Sequence, residues 1–158
     1  MPRPYNLLLA ALAVAPACAG LQPPVQNSGP AQGRDGVRLA VTRQTCSQIV
    51  EPEQPGNDLV EEIVEVEVRN AGAAPLTVHR DGFRLVTPDG YALPTVTFRA
   101  GQPLTVSGGE TRAFELRFQT RGSLQCAREM RLEAGPAVTL DAHSVDVGAI
   151  RFVPSRAL

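Results

Sequence analysis

Alternation of apolar and polar residues is the main pattern in the chain from residue 37 onward. It is clearest in residues 60–69 (VEEIVEVEVR), where Val64, Val66 and Val68 alternate with charged residues. Because successive side chains of a β-strand point to opposite faces, this period of two predicts a strand with one buried and one solvated face. The β-branched valines also favour a strand over a helix.

Shorter runs of the same kind follow, separated by Gly- and Pro-rich turns. Residues 87–90 (TPDG) predict a turn that closes a hairpin between strands at 83–85 and 91–93. The alternation breaks at Gly148, which suggests a bulge there. No stretch has a helical period, so we expect an all-β fold, a single antiparallel, immunoglobulin-like β-sandwich of about seven to nine strands. The other predicted strands lie at 37–42, 76–79, 95–98, 104–106, 113–119, 130–132, 137–140 and 145–153.

Two segments resemble a known class of domain. In residues 61–93 an alternating strand ending in Arg-Asn-Ala-Gly precedes a Phe-x-Leu strand and a Pro-Asp-Gly turn, and in residues 107–118 a Ser-Gly-Gly-Glu turn precedes a Phe-x-Leu-x-Phe strand. This pattern, over residues 37–153, resembles the telokin-like, immunoglobulin-like domains of bacterial envelope lipoproteins. The resemblance implies a fold and an envelope location, and it implies no activity because β-sandwiches support many functions. The chain has no Trp, so it lacks the Cys-Trp-Cys hallmark of antibody domains.

The N-terminus has the layout of a secretory signal. Arg3 precedes an unbroken apolar run at residues 7–14 (LLLAALAV), and small residues follow it. This run is too short to cross a bilayer as a helix, which takes about 20 residues. We therefore expect a leader that is removed.

The sequence around Cys18 leaves two cleavage sites open. Residues 14–20 (VAPACAG) resemble a bacterial lipobox, which implies that Cys18 is diacylated and becomes the mature N-terminus. Cleavage after Ala19 would instead give a soluble periplasmic or secreted protein. The lipoprotein is favoured because a Pro- and Gly-containing segment without periodicity follows, as a tether would. The predicted organisation is a signal peptide at 1–17, the lipid-anchor cysteine and a flexible linker at 18–36, and the β-sandwich domain at 37–158.

Lipidation of Cys18 would leave Cys46 and Cys126 as an even pair. In an oxidising compartment such a pair is expected to form a disulfide, and closing so long a loop would stabilise the domain by roughly 4 kcal/mol. A metal pair or a redox dithiol would favour close spacing such as Cys-x-x-Cys, which is absent from the sequence. Neither cysteine follows the inward parity of its neighbours, which suggests a bridge between strand ends.

No combination of residues predicts catalysis. In a strand, Asp141 and His143 would share one face and Ser144 would lie on the other, and no Gly-x-Ser-x-Gly elbow is present. Glu65 and Glu67, about 7 Å apart along one strand face, are interpreted as part of a solvated outer face, since aromatic residues that could line a sugar cleft make up only 4% of the chain. We therefore predict no catalytic residue, no metal ligand and no cofactor.

Charge argues against a nucleic-acid partner. The 15 basic and 16 acidic residues are interspersed, and nucleic-acid binding would call for a basic stripe. The expected partners are a membrane, through the lipid on Cys18, and another envelope protein. The loops at 48–58 and 99–105 are the candidate contacts, because binding residues favour loops on a rigid scaffold.

These features together predict a non-enzymatic, membrane-anchored envelope lipoprotein that acts as a protein-binding or scaffolding module. Ala19 and Gly20 stand where inner-membrane lipoproteins of Gram-negative bacteria carry a retaining Asp, so the expected location is the outer membrane. The alternative is a periplasmic metal or small-ligand carrier that uses His79, His143 and the acidic residues of 51–58.

Overall fold

The computed structural model describes residues 26–27, 31–33, 36–50, 52–53, 56–96, 102–122 and 129–153. The predicted signal peptide and the predicted lipid-attachment residue, Cys18, lie outside these ranges. Within them, no helix is both long enough and apolar enough to span a membrane.

Thirteen β-strands and two 3-10 helices make up the described part of the chain. The two 3-10 helices are Arg80–Gly82 and Gly135–Ala137. The strands are β1 (Gln26–Asn27), β2 (Ala31–Gln32), β3 (Val37–Ile49), β4 (Leu59–Asn70), β5 (Leu76–Val78), β6 (Arg84–Val86), β7 (Ala92–Pro94), β8 (Leu104–Val106), β9 (Thr111–Arg121), β10 (Met130–Glu133), β11 (Val138–Leu140), β12 (His143–Ser144) and β13 (Ala149–Val153).

The strands form three antiparallel sheets, which confirms the all-β, sandwich-like fold expected from the sequence. One sheet has five strands in the order β1-β13-β10-β6-β7, and two have four strands, in the orders β2-β3-β4-β9 and β12-β11-β5-β8. All three contribute side chains to one apolar core. Within this core the rings of Phe83 and Phe114 have centroids 5.6 Å apart.

The long strand β4 shows the predicted alternation. Its even-numbered residues face the core, and Val64, Val66 and Val68 are fully buried. Glu67 and Arg69 are exposed on the other face, as the sequence predicts. Because β4 pairs along its whole length with β3 and β9, it fixes which face of those two strands is buried.

A β-bulge at Thr42 divides β3 into two halves of opposite parity. Up to Val41 the odd-numbered residues face the core, and the register then shifts between Val41 and Arg43. After the shift, Gln44 and Cys46 share the inward face, opposite Val64 and Glu62 respectively. The hydroxyl of Thr42 donates a hydrogen bond to Glu65 Oε1 (2.8 Å). Cys46 therefore lies on the inward face, whereas the sequence predicted that it does not follow the inward parity of its neighbours.

Two short strands lie within the predicted linker. β1 pairs with the end of β13, and β2 pairs with the start of β3. Such edge pairing uses main-chain groups and requires no apolar periodicity, which explains why the composition of residues 18–36 does not reveal it. The thirteen strands exceed the predicted seven to nine partly for this reason.

The C-terminal part differs from the predicted single strand at 145–153. The chain forms β12, continues through Val145 and Val147, both buried, and resumes as β13 at Ala149. Gly148 precedes β13 with a φ of 70°, and its backbone N–H donates to Asp146 Oδ1 (3.0 Å). The break in alternation is thus a tight turn before the strand rather than a bulge within it.

Asn70 is the last inward-facing residue of β4, and its polar side chain is fully hydrogen-bonded. Its Nδ2 donates to the carbonyl oxygens of Ala74 (2.7 Å) and Val106 (3.1 Å), and its Oδ1 accepts from the Gly72 N–H (3.0 Å). These bonds connect the turn after β4 to β8 in a different sheet. The turn at 70–72 is therefore also a link between sheets.

Candidate functional site

The predicted disulfide is only partly within the described residues. Cys46 is half-buried on β3 and is disulfide-bonded. Cys126, its predicted partner, and Cys18, the predicted lipid-attachment residue, both lie outside the described residues. The pairing of Cys46 with Cys126 and the acylation of Cys18 therefore remain predictions.

The structure does not bring the two histidines together. The His79 N–H donates to the Ala137 carbonyl (2.7 Å), just before β11 begins. His143 pairs with Leu140, at the other end of β11. The rise of a strand puts these positions roughly 10 Å apart along β11, and no group of three or more potential metal ligands occurs in the part of the chain that the structure describes.

Asp141 and His143 do not share a strand face, which corrects the expectation from the sequence. Asp141 and Ala142 have positive φ angles of 47° and 65° and form the two-residue turn between β11 and β12. This geometry is that of a hairpin turn whose two central residues both have φ above zero. Asp141 lies in the turn, and His143 and Ser144 are exposed in β12.

The outer face of the β3-β4-β9 sheet carries paired charges. Arg43 Nη2 lies 3.0 Å from Glu65 Oε2 and 3.5 Å from Glu115 Oε1. Arg117 lies within 3.9 Å of Glu61. These two arginines and three carboxylates are all partly exposed, and Glu67 is exposed as well, so Glu65 and Glu67 belong to a solvated face, as the sequence predicts.

The end of the β3-β4 hairpin exposes apolar side chains. Ile49 is 53% exposed and Val50 is 67% exposed. Leu59, the cross-strand partner of Ile49, is half-buried. We call Ile49, Val50 and Leu59 the hairpin tip. It overlaps the predicted binding loop at 48–58, whereas residues 99–101 of the other predicted loop lie outside the described ranges and Leu104 and Thr105 belong to β8.

A buried carboxyl group lies on the inward face of the same strands. Glu62 is 1% exposed, opposite Cys46 on β3 and Phe118 on β9. Its Oε2 accepts a hydrogen bond from Gln44 Nε2 (2.6 Å), which also lies 3.8 Å from Met130 Sδ on β10. Glu62 Oε1 and Gln44 Oε1 are buried without a hydrogen-bond partner. We call Glu62, Gln44 and Met130 the buried polar cluster.

Burial raises the pKa of Glu62 to about 7, and the hydrogen bond from Gln44 lowers it only partly. A carboxylate in an apolar interior loses its hydration, so the neutral form is favoured unless a cation compensates. The sequence contains a signal for this residue. Glu61 and Glu62 are adjacent in a strand that is buried on one face, so one of them has to point inward, and the even parity of the valines selects Glu62.

An open groove of about 350 Å³ lies beside the turn between β6 and β7. Its two arginines contact carboxylates, since Arg131 Nη2 lies 2.9 Å from Glu133 Oε1 and Arg151 Nη1 lies 3.7 Å from Glu129 Oε1. The groove therefore presents a mixed surface without a strong net charge. It is lined by Val86, Thr87, Pro88, Gly90, Glu129, Met130, Arg131 and Arg151.

No protein-family model and no curated protein sequence matches the chain. Solved structures match it at the level of the fold. A candidate lipoprotein of Bacillus subtilis, ycdA, has a TM-score of 0.54 and 15% identity, covering 78% of this chain and 38% of its own. The yjhA protein of the same species has a TM-score of 0.51 and 15% identity, covering 74% of this chain and 86% of its own. A protein of unknown function from Listeria monocytogenes has a TM-score of 0.52 and 10% identity, covering 82% of this chain and 83% of its own.

The chain thus spans 38% of the length of ycdA. At 10–15% identity these similarities concern the fold alone. They agree with the all-β architecture, and they do not test the finer resemblance to telokin-like domains.

Proposed function

We propose that the chain is a non-enzymatic envelope protein, held to a membrane by a lipid on Cys18, that binds another envelope protein through the hairpin tip. The exposure of Ile49 and Val50 carries this proposal. Ile49 is the last residue of β3 and Val50 follows it, at the end of the sheet where β4 begins. These are two of the longest strands, so a rigid sheet presents both side chains to solvent. Burying the half to two-thirds of such a side chain that is still exposed contributes about 1–2 kcal/mol.

Two further observations support the proposal. Glu61, two positions along β4 from Leu59, lies 3.9 Å from Arg117, and farther along the outer face Arg43 contacts Glu65 and Glu115, so these charges have partners within the sheet whereas the apolar side chains of the tip face solvent. The fold is similar to that of a candidate lipoprotein. The outer membrane is the proposed location, because Ala19 and Gly20 follow Cys18 without an inner-membrane retention Asp.

Photo-crosslinking in the native envelope tests the binding surface. A photoreactive residue at position 50 is expected to give a discrete adduct with one protein, whereas the same residue at position 91 is expected to give none. Tyr91 is the matched control, since it is also a large apolar side chain with 63% exposure but lies at another turn. Adducts of equal strength at both positions, or none at position 50, would contradict the proposal.

The binding contribution is then measured on the partner identified by mass spectrometry. Ile49→Ser and Val50→Ser are each expected to weaken the affinity about fivefold to thirtyfold, from the loss of about 1–2 kcal/mol of burial. Tyr91→Ser should leave the affinity unchanged. Unaltered binding by the double variant Ile49→Ser/Val50→Ser would exclude the hairpin tip as the contact.

The anchor is tested separately by fractionating cells that produce the natural chain or the Cys18→Ala variant. The natural chain is expected in the outer-membrane fraction with an acylated N-terminus, and the variant is expected to lose that association. Membrane association of Cys18→Ala would exclude lipidation as the anchor. A natural chain cleaved after Ala19 would establish the soluble alternative.

A further inference from the structure

Among the residues that the structure describes, no cation contacts the carboxyl group of Glu62. The described side chains around it are Gln44 and Cys46 from β3, Phe118 from β9 and Met130 from β10. None of them carries a charge, and Cys46 does not titrate because it is disulfide-bonded. Its one hydrogen bond comes from the neutral amide of Gln44. The ionised form would therefore be a buried charge with a single donor, which is strongly unfavourable.

We propose that Glu62 and Gln44 form a proton-operated latch between the two sheets, with Met130 as the residue on the facing sheet that responds to it. The inference is independent of the hairpin tip and of any partner. It assigns a role to a charged group that the proposed binding function leaves unused.

The side-chain amide of Gln44 has two possible orientations. In one, its Nε2 donates to Glu62 Oε2 and contacts Met130 Sδ, while its Oε1 has no partner. This arrangement suits a carboxylate, which only accepts hydrogen bonds. A protonated carboxyl carries an O–H that needs an acceptor, and a half-turn of the Gln44 amide brings Oε1 to it. The proton on Glu62 thus selects the orientation of the amide.

The amide transmits this selection to the second sheet. With Nε2 toward Met130, the sulfur accepts a weak N–H contact, and with Oε1 toward Met130 two acceptors would face each other. Met130 therefore has a different environment in the two protonation states. Met130 also lines the groove beside the β6-β7 turn, so the change extends from the interior to an accessible surface.

The pH range follows from the carboxyl group's environment. Burial raises the pKa of Glu62 to about 7, so the latch changes state close to neutral pH. Below this pH the carboxyl is neutral and its O–H donates to Gln44 Oε1. Above it the carboxylate accepts from Gln44 Nε2, which also contacts Met130 Sδ.

The test is a pH titration of the full-length chain labelled with ¹³C at the methionine methyl groups. The chain has two methionines, and Met130→Leu assigns the Met130 signal. We expect this signal to shift with a midpoint near pH 7. In a second sample labelled with ¹³C at the glutamate side-chain carboxyl groups, the Glu62 carboxyl carbon is expected to titrate with the same midpoint, and Glu62→Gln assigns its signal. In Glu62→Gln the Met130 shift should be absent. In Glu65→Gln, the matched control on the outer face, it should persist.

Three results would overturn the latch. The Met130 methyl signal could stay constant between pH 5 and 9, it could titrate unchanged in Glu62→Gln, or the Glu62 carboxyl could titrate at an ordinary pH near 4.5. Each of these readouts is independent of the crosslinking at position 50. Failure of the latch and failure of the binding proposal are therefore distinguishable.

Discussion

Cys46 and Glu62 are directly opposite each other on neighbouring antiparallel strands, with both side chains on the face that meets the second sheet. A covalent bond and a buried carboxyl thus lie side by side at one end of the β3-β4 pair. Toward the other end the same face is filled by Val64, Val66 and Val68. The interior of the domain therefore changes from apolar to polar and cross-linked along a single pair of strands.

The stability of the domain should depend on pH through Glu62. Its folded-state pKa, about 7, is above the ordinary value of 4.5, so the folded state binds more protons between these two values. The free energy of unfolding should therefore fall by roughly 3 kcal/mol, through this group alone, as the pH rises from about 4.5 to 7. Above pH 7 it should level off. Urea unfolding of the natural chain and of Glu62→Gln measures the difference. The variant should lack this slope and be the more stable of the two at pH 8. Parallel curves would contradict the assignment.

The covalent link of Cys46 should stabilise the domain. We expect non-reducing peptide mapping to find Cys46 joined to Cys126, and we expect Cys46→Ala to lower the free energy of unfolding by roughly 4 kcal/mol. Reduction of the natural chain should reproduce most of this loss, whereas reduction of Cys46→Ala should have no effect. Recovery of both residues as free thiols from the envelope would refute the pairing.

Asn70→Asp should destabilise the domain although the two side chains have the same shape. The Nδ2 group of Asn70 donates to two carbonyl oxygens. A carboxylate oxygen in its place cannot donate, so three acceptors would lie close together and repel one another. The loss is expected to be about 2–4 kcal/mol at neutral pH, because a buried and a part-buried acceptor lose their donor. Thermal unfolding should show partial recovery at acid pH, where a protonated Asp can donate once. An equal loss at all pH values would instead indicate a purely structural disturbance.

Gly108→Ala should be more harmful than Gly109→Ala in the same turn. A Cβ on Gly108 would lie 2.6 Å from the Ala73 carbonyl oxygen and 2.8 Å from that of Gly72, whereas a Cβ on Gly109 would meet nothing within 4 Å. Gly109 has a φ of +77°, for which an alanine costs about 1–2 kcal/mol. Gly108→Ala requires movement of the backbone and should cost more. Denaturant midpoints of the two variants compare them directly, and a reversed order would show that the turn after β8 can move away from residues 72–73.

The fold class could be predicted because the strand signal is local. The alternation in β4 and the TPDG turn between β6 and β7 each specify their own conformation, and both form as expected. Glu62 could have been predicted as well, since its even position in β4 already requires an inward carboxyl. The orientation of Cys46 could not, because it depends on the bulge at Thr42. No sequence pattern near Thr42 marks that bulge.

The contacts between distant segments were also beyond prediction. The hydrogen bonds of Asn70 reach the carbonyl of Val106, in another sheet. The proximity of Gln44 to Met130 joins residues separated by 86 positions. Such contacts depend on how the sheets lie together, and a single sequence contains no direct signal for them.

The bulge at Thr42 lets one strand serve two different surroundings. Its first half supplies odd-numbered apolar residues to the core, and its second half supplies Gln44 and Cys46 at even positions. If the strand kept Thr42 but lost the bulge, strict alternation would turn Arg43 and Thr45 inward and leave Gln44 and Cys46 pointing to solvent. One extra residue in β3 thus places both the cross-link and the titratable contact inside the domain.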